Sequence, residues 1–121
     1  MVYIVDDDPH VRDAFLMLLH SAGYKCKAFN NAEKFLNTYK KDLNDLLILD
    51  MHLNEINGCT LLEKLTEKGF YLPVIVITGF DDSKYRECCK KYGVLAFLRK
   101  PVDGEALLDI IKYNFSHVVN S

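Results

Sequence analysis

A run of four aliphatic residues that ends in an aspartate, Leu46 to Asp50, constrains the fold of this chain more than any other stretch. The residues after it, Met51 to Gly58, mix polar and apolar types and end in glycine, which is typical of a loop. An unbroken apolar run of this length, closed by a loop, indicates a strand buried on both faces of a parallel sheet. Such a strand brings its last residue to the carboxyl edge of the sheet, where open α/β folds bind ligands. We therefore expect Asp50 to lie at the functional edge.

Apolar runs alternate with helical patterns along the whole chain, and every connection between them is short. Strands are predicted at 2–5, 24–29, 46–50, 74–77 and 94–98. Helices are predicted from Asp8-Pro9 to Gly23, from Asn30 or Asn31 to about Tyr39, over 59–68, from 81–83 to Tyr92, and from about Asp103. This alternation predicts an α/β fold with five parallel strands in the flavodoxin-like order 2-1-3-4-5 and helices on both faces.

Composition and charge exclude several classes of function. Half of the 121 residues are apolar and 26% are charged, which is ordinary for a globular protein, and this length suits one domain. The formal net charge of -2 gives no reason to expect direct binding of nucleic acid by this segment, because binding through bulk electrostatics would need a basic face. No apolar run approaches the length of a membrane span and no leader precedes the first strand, so we expect a cytoplasmic protein that does not contact membranes.

The cysteines show no metal-binding pattern. Cys26, Cys59, Cys88 and Cys89 include no C-x-x-C pair, and no histidine lies at zinc-ligand spacing from them. Adjacent cysteines such as Cys88 and Cys89 rarely pair with each other. All four are therefore predicted to be free thiols in a reducing cytosol.

The predicted topology brings polar side chains from four strand ends to one edge of the sheet. Asp6 and Asp7 follow the first strand and Asp50 ends the third, and neighbouring strands lie about 4.8 Å apart. Like charges this close are costly unless a cation relieves them, and carboxylate oxygens suit Mg²⁺. Thr78 adds a hydroxyl at the end of the fourth strand and Lys100 adds an ammonium after the fifth. Together these groups indicate a site for a phosphoryl group.

The nucleophile at this site is predicted to be Asp50 itself. The sequence contains no Walker-type glycine loop and no G-x-G-x-x-G, so a nucleotide has no recognisable phosphate cradle. An aspartate can accept a phosphoryl group directly and form an acyl phosphate.

These features closely resemble the receiver domain of two-component response regulators, or CheY-like domain, over essentially the whole chain. The residues that carry the resemblance are Val5-Asp6-Asp7, Asp50, Gly58, Thr78-Gly79 and Lys100-Pro101. Segments 2–8, 73–79 and 96–101 are most similar to FixJ-type receivers, which usually precede a DNA-binding helix-turn-helix domain.

The resemblance implies a role for each residue at the site. Asp50 is expected to take a phosphoryl group from the phosphohistidine of a sensor histidine kinase. Asp7 and Asp50 are expected to bind Mg²⁺ directly, with the backbone carbonyl of His52, while Asp6 acts mainly through water. Lys100 is expected to contact the phosphoryl oxygens.

The resemblance also implies a conformational switch. The Lys100-Pro101 bond is expected to be cis. Thr78 and Phe97 are expected to form the switch pair, with Thr78 moving to the phosphoryl group and Phe97 turning inward. The surface that changes would be formed by the fourth helix, the fifth strand and the fifth helix.

Two departures from the family pattern affect the loops around the site. Asn54 stands where family members commonly have proline, so the loop after Asp50 loses a fixed φ. His52 and Phe80 occupy the positions that tune acyl-phosphate lifetime in the family. Phe80 cannot orient an attacking water, which predicts slow hydrolysis.

Two kinds of output are open for a receiver of this sequence. It can be the N-terminal part of a transcription factor, which the FixJ-like segments favour, or a stand-alone domain that acts through protein contacts, as CheY does. In either case it is a switch rather than an enzyme, because it catalyses only its own phosphorylation and dephosphorylation. We expect a monomer without phosphorylation and a homodimer with it.

Two other classes share part of the pattern. A Mg²⁺-dependent aspartyl phosphatase of the haloacid dehalogenase type would need an Asp-x-Asp pair near the first strand and a cap. Here the residue two after Asp50 is His52, and no insertion is long enough for a cap. A flavodoxin-like FMN carrier would need a phosphate-binding loop rich in Ser, Thr and Gly after the first strand, which the chain lacks.

Overall fold

The computed structural model describes residues 1–42, 44–53, 56–79 and 83–119. Within these residues the strands are β1 Val2–Val5, β2 Cys26–Phe29, β3 Leu46–Asp50, β4 Val74–Thr78 and β5 Ala96–Arg99. The helices are α1 Pro9–Ser21, α2 Ala32–Thr38, α3 Gly58–Glu67, α4 Ser83–Tyr92 and α5 Gly104–Val119. The strands are parallel and lie in the order β2-β1-β3-β4-β5, which confirms the predicted fold.

Two strands begin later than predicted, each at a point where the chain has just left a helix. β5 begins at Ala96 rather than Val94, because the amide of Val94 still bonds the carbonyl of Cys89 at the end of α4 (3.1 Å). β2 begins at Cys26 rather than Tyr24 for the same reason, since the amide of Tyr24 bonds the carbonyl of Leu19 in α1 (3.0 Å).

Polar side chains fix where three of the helices begin. Asp8 accepts the amide of His10 at 2.9 Å and precedes Pro9 at the first position of α1. Asn31, and not Asn30, caps α2. Asn57 caps α3 by accepting the amide of Thr60 at 2.9 Å, which ends the loop that follows Asp50.

The sheet separates two apolar cores, one on each face. Alternate residues of β3 and β4 point to opposite faces, and all residues of these two strands are buried. One core, with Leu47, Leu49 and Val76, packs against α2, α3 and α4. The other, with Ile48 and Ile77, packs against α1 and α5. Burial on both faces holds the end of β3, and therefore Asp50, in a fixed position.

Two of the four cysteines are joined, contrary to the sequence-based prediction. Cys59 in α3 and Cys88 in α4 form a disulfide, with their Cα atoms 6.0 Å apart, a separation usual for such a bond. Cys26 and Cys89 are free thiols. The prediction was wrong for the bonded pair because the packing of α3 against α4 brings together residues that are 29 positions apart in sequence.

None of the helices in the described residues is both long enough and apolar enough to cross a membrane.

Candidate functional site

The carboxyl edge of the sheet collects the polar residues that follow its three middle strands and its last one. Asp6 follows β1, Asp50 ends β3, Thr78 ends β4, and Lys100 follows β5. The parallel register aligns these ends, because Val5 pairs with Leu49 and Asp50 pairs with Ile77. The amide of Lys100 bonds the carbonyl of Thr78 at 2.8 Å, which extends the alignment past the end of β5.

Three carboxylates meet at this edge. Asp6, Asp7 and Asp50 each place one oxygen within 4.8 Å of the others. Asp6 and Asp50 are 1% and 4% exposed, and Asp7 is half-buried. Charges of one sign that lie this close together and are buried away from water repel strongly unless a cation lies among them. Their oxygen atoms are the hard ligands that Mg²⁺ prefers, so the residues present fit that ion.

Lys100 supplies one positive charge to the cluster. Its Nζ lies 3.4 Å from Oδ2 of Asp6 and 3.4 Å from Oδ2 of Asp50. Burial acts to lower the pKa of Lys100, but the charges and hydrogen bonds of Asp50 and Asp6 outweigh it and raise the pKa above its ordinary value. The lysine is therefore an ammonium at neutral pH, and the three carboxylates still outnumber it.

Backbone amides orient the two buried carboxylates. Oδ1 of Asp6 accepts the amide of Asp8 at 2.9 Å, and Oδ1 of Asp50 accepts the amide of His52 at 3.0 Å. The second oxygen of each carboxylate faces Lys100. Each side chain is thus held at both oxygens in a single orientation.

Asp6 keeps a raised pKa despite these partners. Burial raises the pKa of Asp6 above its ordinary value, and the charge of Asp50 raises it further. The amide of Asp8 and the ammonium of Lys100 act in the opposite direction. The excess of negative charge at the site is therefore only partly relieved by the protein's own groups.

Thr78 and Phe97 lie on the same face of the sheet, on adjacent strands. Thr78 is fully buried, and Phe97 is half-buried in the core that packs against α4. Phe97 pairs with Val76, two residues before Thr78 in β4. The guanidinium of Arg86, in α4, lies 5.2 Å from the centre of the Phe97 ring. The Lys100-Pro101 peptide bond beside this pair is cis.

Two residues that hold the edge of the site were not predicted from the sequence. Arg12 donates to the backbone carbonyl of Asp6 at 2.9 Å, which fixes the turn that follows β1. Tyr85 in α4 packs edge-on against the ring of His52, with the ring centres 5.0 Å apart. No sequence pattern announces either contact, because one involves a backbone atom and the other depends on how α4 packs. Asn54 and Phe80, which the sequence analysis singled out, lie outside the described residues.

The site lies in a chain that is similar to known signalling proteins along most of its length. The family model described as response regulator receiver domain matches residues 2–112. The response regulator protein TmoT of Ectopseudomonas mendocina is 37% identical over 112 residues, which cover 93% of this chain and 51% of TmoT. The transcriptional regulatory protein FixJ of Rhizobium meliloti is 30% identical over 118 residues, which cover 98% of this chain and 58% of FixJ.

A solved structure leads to the same family. The response regulator StyR superposes with a TM-score of 0.89 at 34% sequence identity, over 98% of this chain and 60% of that one. The chain thus spans about half the length of TmoT and somewhat more of FixJ and StyR.

Proposed function

The chain belongs to the family of response regulator receiver domains, and we propose that it is a switch in which Asp50 accepts a phosphoryl group from the phosphohistidine of a sensor histidine kinase. The observation that carries this proposal is the convergence of Asp6, Asp7, Asp50 and Lys100 at one edge of the sheet. The transfer breaks the phosphorus–nitrogen bond and forms a phosphorus–oxygen bond to the Asp50 carboxylate. The resulting acyl phosphate is a signal and not a released product.

The chain's own residues perform three tasks in this transfer. The amide of His52 holds Oδ1 of Asp50, so Oδ2, which faces Lys100, is the oxygen that accepts the phosphoryl group in the proposed transfer. Lys100 lies beside that second oxygen and pairs with the incoming phosphoryl oxygens. Asp7 and Asp50 would hold Mg²⁺ together with the backbone carbonyl of His52, and Asp6 would act through water. When bound, the ion offsets the negative charge shared by the carboxylates and the phosphoryl group.

Phosphorylation is read out through Thr78 and Phe97. In the proposed switch the Thr78 hydroxyl moves to bond the phosphoryl group, and Phe97 turns inward. Their shared face of the sheet and their adjacent strands support this pairing. Because Arg86 of α4 packs on Phe97, a change in that ring alters the surface formed by α4, β5 and α5.

The output we propose is control of transcription. FixJ is by its name a transcriptional regulatory protein, and this chain corresponds to 58% of its length. We assign residues 1–121 to a single receiver domain that acts in the cytoplasm as the N-terminal part of such a regulator. The alternative is a stand-alone receiver that acts by contact with a target protein. In both cases the receiver contacts a kinase and an output partner and not nucleic acid.

Stoichiometric labelling tests the proposal against turnover of a substrate. The chain is incubated with a radiolabelled small-molecule phosphoryl donor, such as a phosphoramidate, with Mg²⁺ or with EDTA. We expect incorporation that saturates near one phosphoryl group per chain and disappears in EDTA. Continuous turnover of a phosphomonoester, with many phosphate groups released per chain, would instead favour an aspartyl phosphatase and overturn the proposal.

A further inference from the structure

Cys59 and Cys88 occupy positions that matter for the proposed switch. Cys59 lies in the first turn of α3, two residues after the Asn57 cap that ends the loop from Asp50. Cys88 lies in α4, whose Tyr85 packs on His52 of the same loop. The amide of Gly58 bonds the carbonyl of Met51 at 3.0 Å, so the start of α3 is tied directly to the residue after Asp50. A bond between the two cysteines therefore joins α4 to the backbone of the phosphorylation site.

The pair is accessible and geometrically suited to bond formation. Both side chains are half-buried, and their Cα atoms are 6.0 Å apart, within the usual range for a disulfide. Cys59 is the second residue of α3, so it lies in the first turn of that helix rather than in its middle. These are the conditions for exchange with a small disulfide in solution.

The two other cysteines do not compete for either partner. Cys89 is adjacent to Cys88 but is only 4% exposed, and burial raises its pKa to about 11. Cys26 lies in β2 and packs in the core on the α1 and α5 face, on the other side of the sheet from Cys88. The fold therefore leaves Cys59 and Cys88 as the reactive pair.

We propose that Cys59 and Cys88 form a reversible redox pair whose disulfide restrains α4 against α3 and thereby sets how readily the domain switches. The oxidant is a low-molecular-weight disulfide. The Cys59 thiolate attacks one of its sulfurs and releases one thiolate, which leaves a mixed disulfide on Cys59. The Cys88 thiolate then attacks the Cys59 sulfur and releases the second thiolate. The protein loses two electrons and two protons, and the small disulfide becomes two thiols.

The effect on switching rests on the proposed function. If phosphorylation and the position of α4 are coupled, a disulfide that restrains α4 in one position weakens phosphoryl binding. The coupling is reciprocal, so phosphorylation disfavours the disulfide by the same factor. The reduced protein, in which α4 is free to shift, is the form that switches readily. The redox state thus acts as a second input to the same surface.

Two readouts test the pair separately from the phosphoryl site. The full chain is equilibrated with reduced or oxidised glutathione, its free thiols are counted, and amide hydrogen exchange of α4 is measured in each state. Oxidation should lower the number of free thiols from four to two and slow exchange in α4 by about tenfold. The affinity for beryllium fluoride with Mg²⁺, a phosphoryl mimic, should fall by about fivefold or more on oxidation.

Matched serine variants show which cysteines are responsible. Cys59→Ser and Cys88→Ser should each abolish the dependence of both readouts on glutathione, whereas Cys26→Ser should retain it. The redox pair is overturned if four thiols remain after oxidation, and the restraint on α4 is overturned if two thiols are lost but α4 exchange is the same in both states. The effect on switching is overturned if α4 is protected but beryllium fluoride binds equally. If beryllium fluoride binds in neither state while α4 exchange still depends on glutathione, the phosphorylation proposal is overturned and the redox pair is not.

Discussion

Lys100 bridges two buried carboxylates that come from different strands. It lies 3.4 Å from an oxygen of Asp6 and 3.4 Å from an oxygen of Asp50, while the other oxygen of each carboxylate accepts a backbone amide. In the chain alone, this lysine is therefore the counter-ion of the cluster. In the proposed phosphorylated state it would instead pair with the phosphoryl group, so its two roles are separable by experiment.

Replacing Lys100 should separate cation binding from phosphoryl binding. In Lys100→Gln the three carboxylates lose their internal cation, so Mg²⁺ affinity should be retained or increased. Affinity for beryllium fluoride should fall by about tenfold or more, because the ammonium no longer meets the phosphoryl mimic. Both are measured by titration calorimetry, with Lys68→Gln as a control that makes the same charge change at an exposed helix end. Unchanged beryllium fluoride affinity in Lys100→Gln would contradict the assignment.

At the residue scale the sequence predicted the members of the site better than their contacts. Five site residues could be predicted because a parallel sheet places the ends of its strands at one edge: Asp6, Asp7, Asp50, Thr78 and Lys100. Two contacts could not be predicted, because both depend on how the helices pack on the sheet. They are the hydrogen bond from Arg12 to the Asp6 carbonyl and the packing of Tyr85 on His52. The disulfide between Cys59 and Cys88 was missed for the same reason.

The junction between β3 and α3 depends on glycine at position 58. A Cβ there would meet Sδ of Met51 and would lie 3.1 Å from its Cα, so the loop after Asp50 would have to move. Gly58→Ala should lower the free energy of unfolding by about 1–3 kcal/mol, as overpacking does elsewhere. Urea denaturation measures this, with Gly79→Ala as the control, since a Cβ at Gly79 meets no atom of the described residues within 4 Å. Equal stability losses in the two variants would show that the close contact is not the cause.

The segment between α2 and β3 is held by a buried phenol and a buried carboxylate. Burial raises the pKa of Tyr39 above its ordinary value, and its hydrogen bond to Asp45 raises it further. The unfolded chain therefore releases this proton first as pH rises above about 10, so stability should fall there by up to about 1.4 kcal/mol per pH unit. Below that pH both states keep the proton, so this group adds nothing to the pH dependence of stability.

Tyr39→Phe should make the alkaline loss of stability less steep. The comparison is of urea midpoints at pH 8 and pH 11 for the wild type and the variant. Tyr113→Phe, at a side chain that is 63% exposed, serves as the control and should keep the wild-type slope. An identical slope in Tyr39→Phe would mean that the buried phenol does not resist ionisation in the folded state.

At the element scale, the periodicity of the sequence predicted the order and type of the helices and strands, but it predicted their boundaries less well. The runs in β3 and β4 are apolar on both faces and were predicted almost to the residue. The predicted starts of β2 and β5 lie two residues before the observed ones, because the apolar residues that follow a helix can still be bonded to the end of that helix. Asn31 rather than Asn30 caps α2, a choice that only the backbone geometry decides.

The surface formed by α4, β5 and α5 determines the expected assembly of the whole molecule. Arg86 and Lys90 on α4 are exposed, as is Asp103 before α5, so the surface mixes charges of both signs. We expect a monomer without phosphorylation and a dimer when beryllium fluoride and Mg²⁺ are bound. Sedimentation velocity over a range of concentrations measures this. A dimer of equal strength with and without the mimic would show that assembly is not coupled to the phosphoryl site.

Asp50 is the proposed phosphoryl acceptor of the cluster, and the rest of the proposed switch depends on this role. The most direct measurement compares labelling by a radiolabelled phosphoramidate, with Mg²⁺, in the wild type, in Asp50→Asn and in Asp109→Asn. Asp109 is exposed on α5 and undergoes the same chemical change away from the site. We predict full labelling of the wild type and of Asp109→Asn, and none of Asp50→Asn. Labelling of a folded Asp50→Asn protein to the wild-type extent would contradict it.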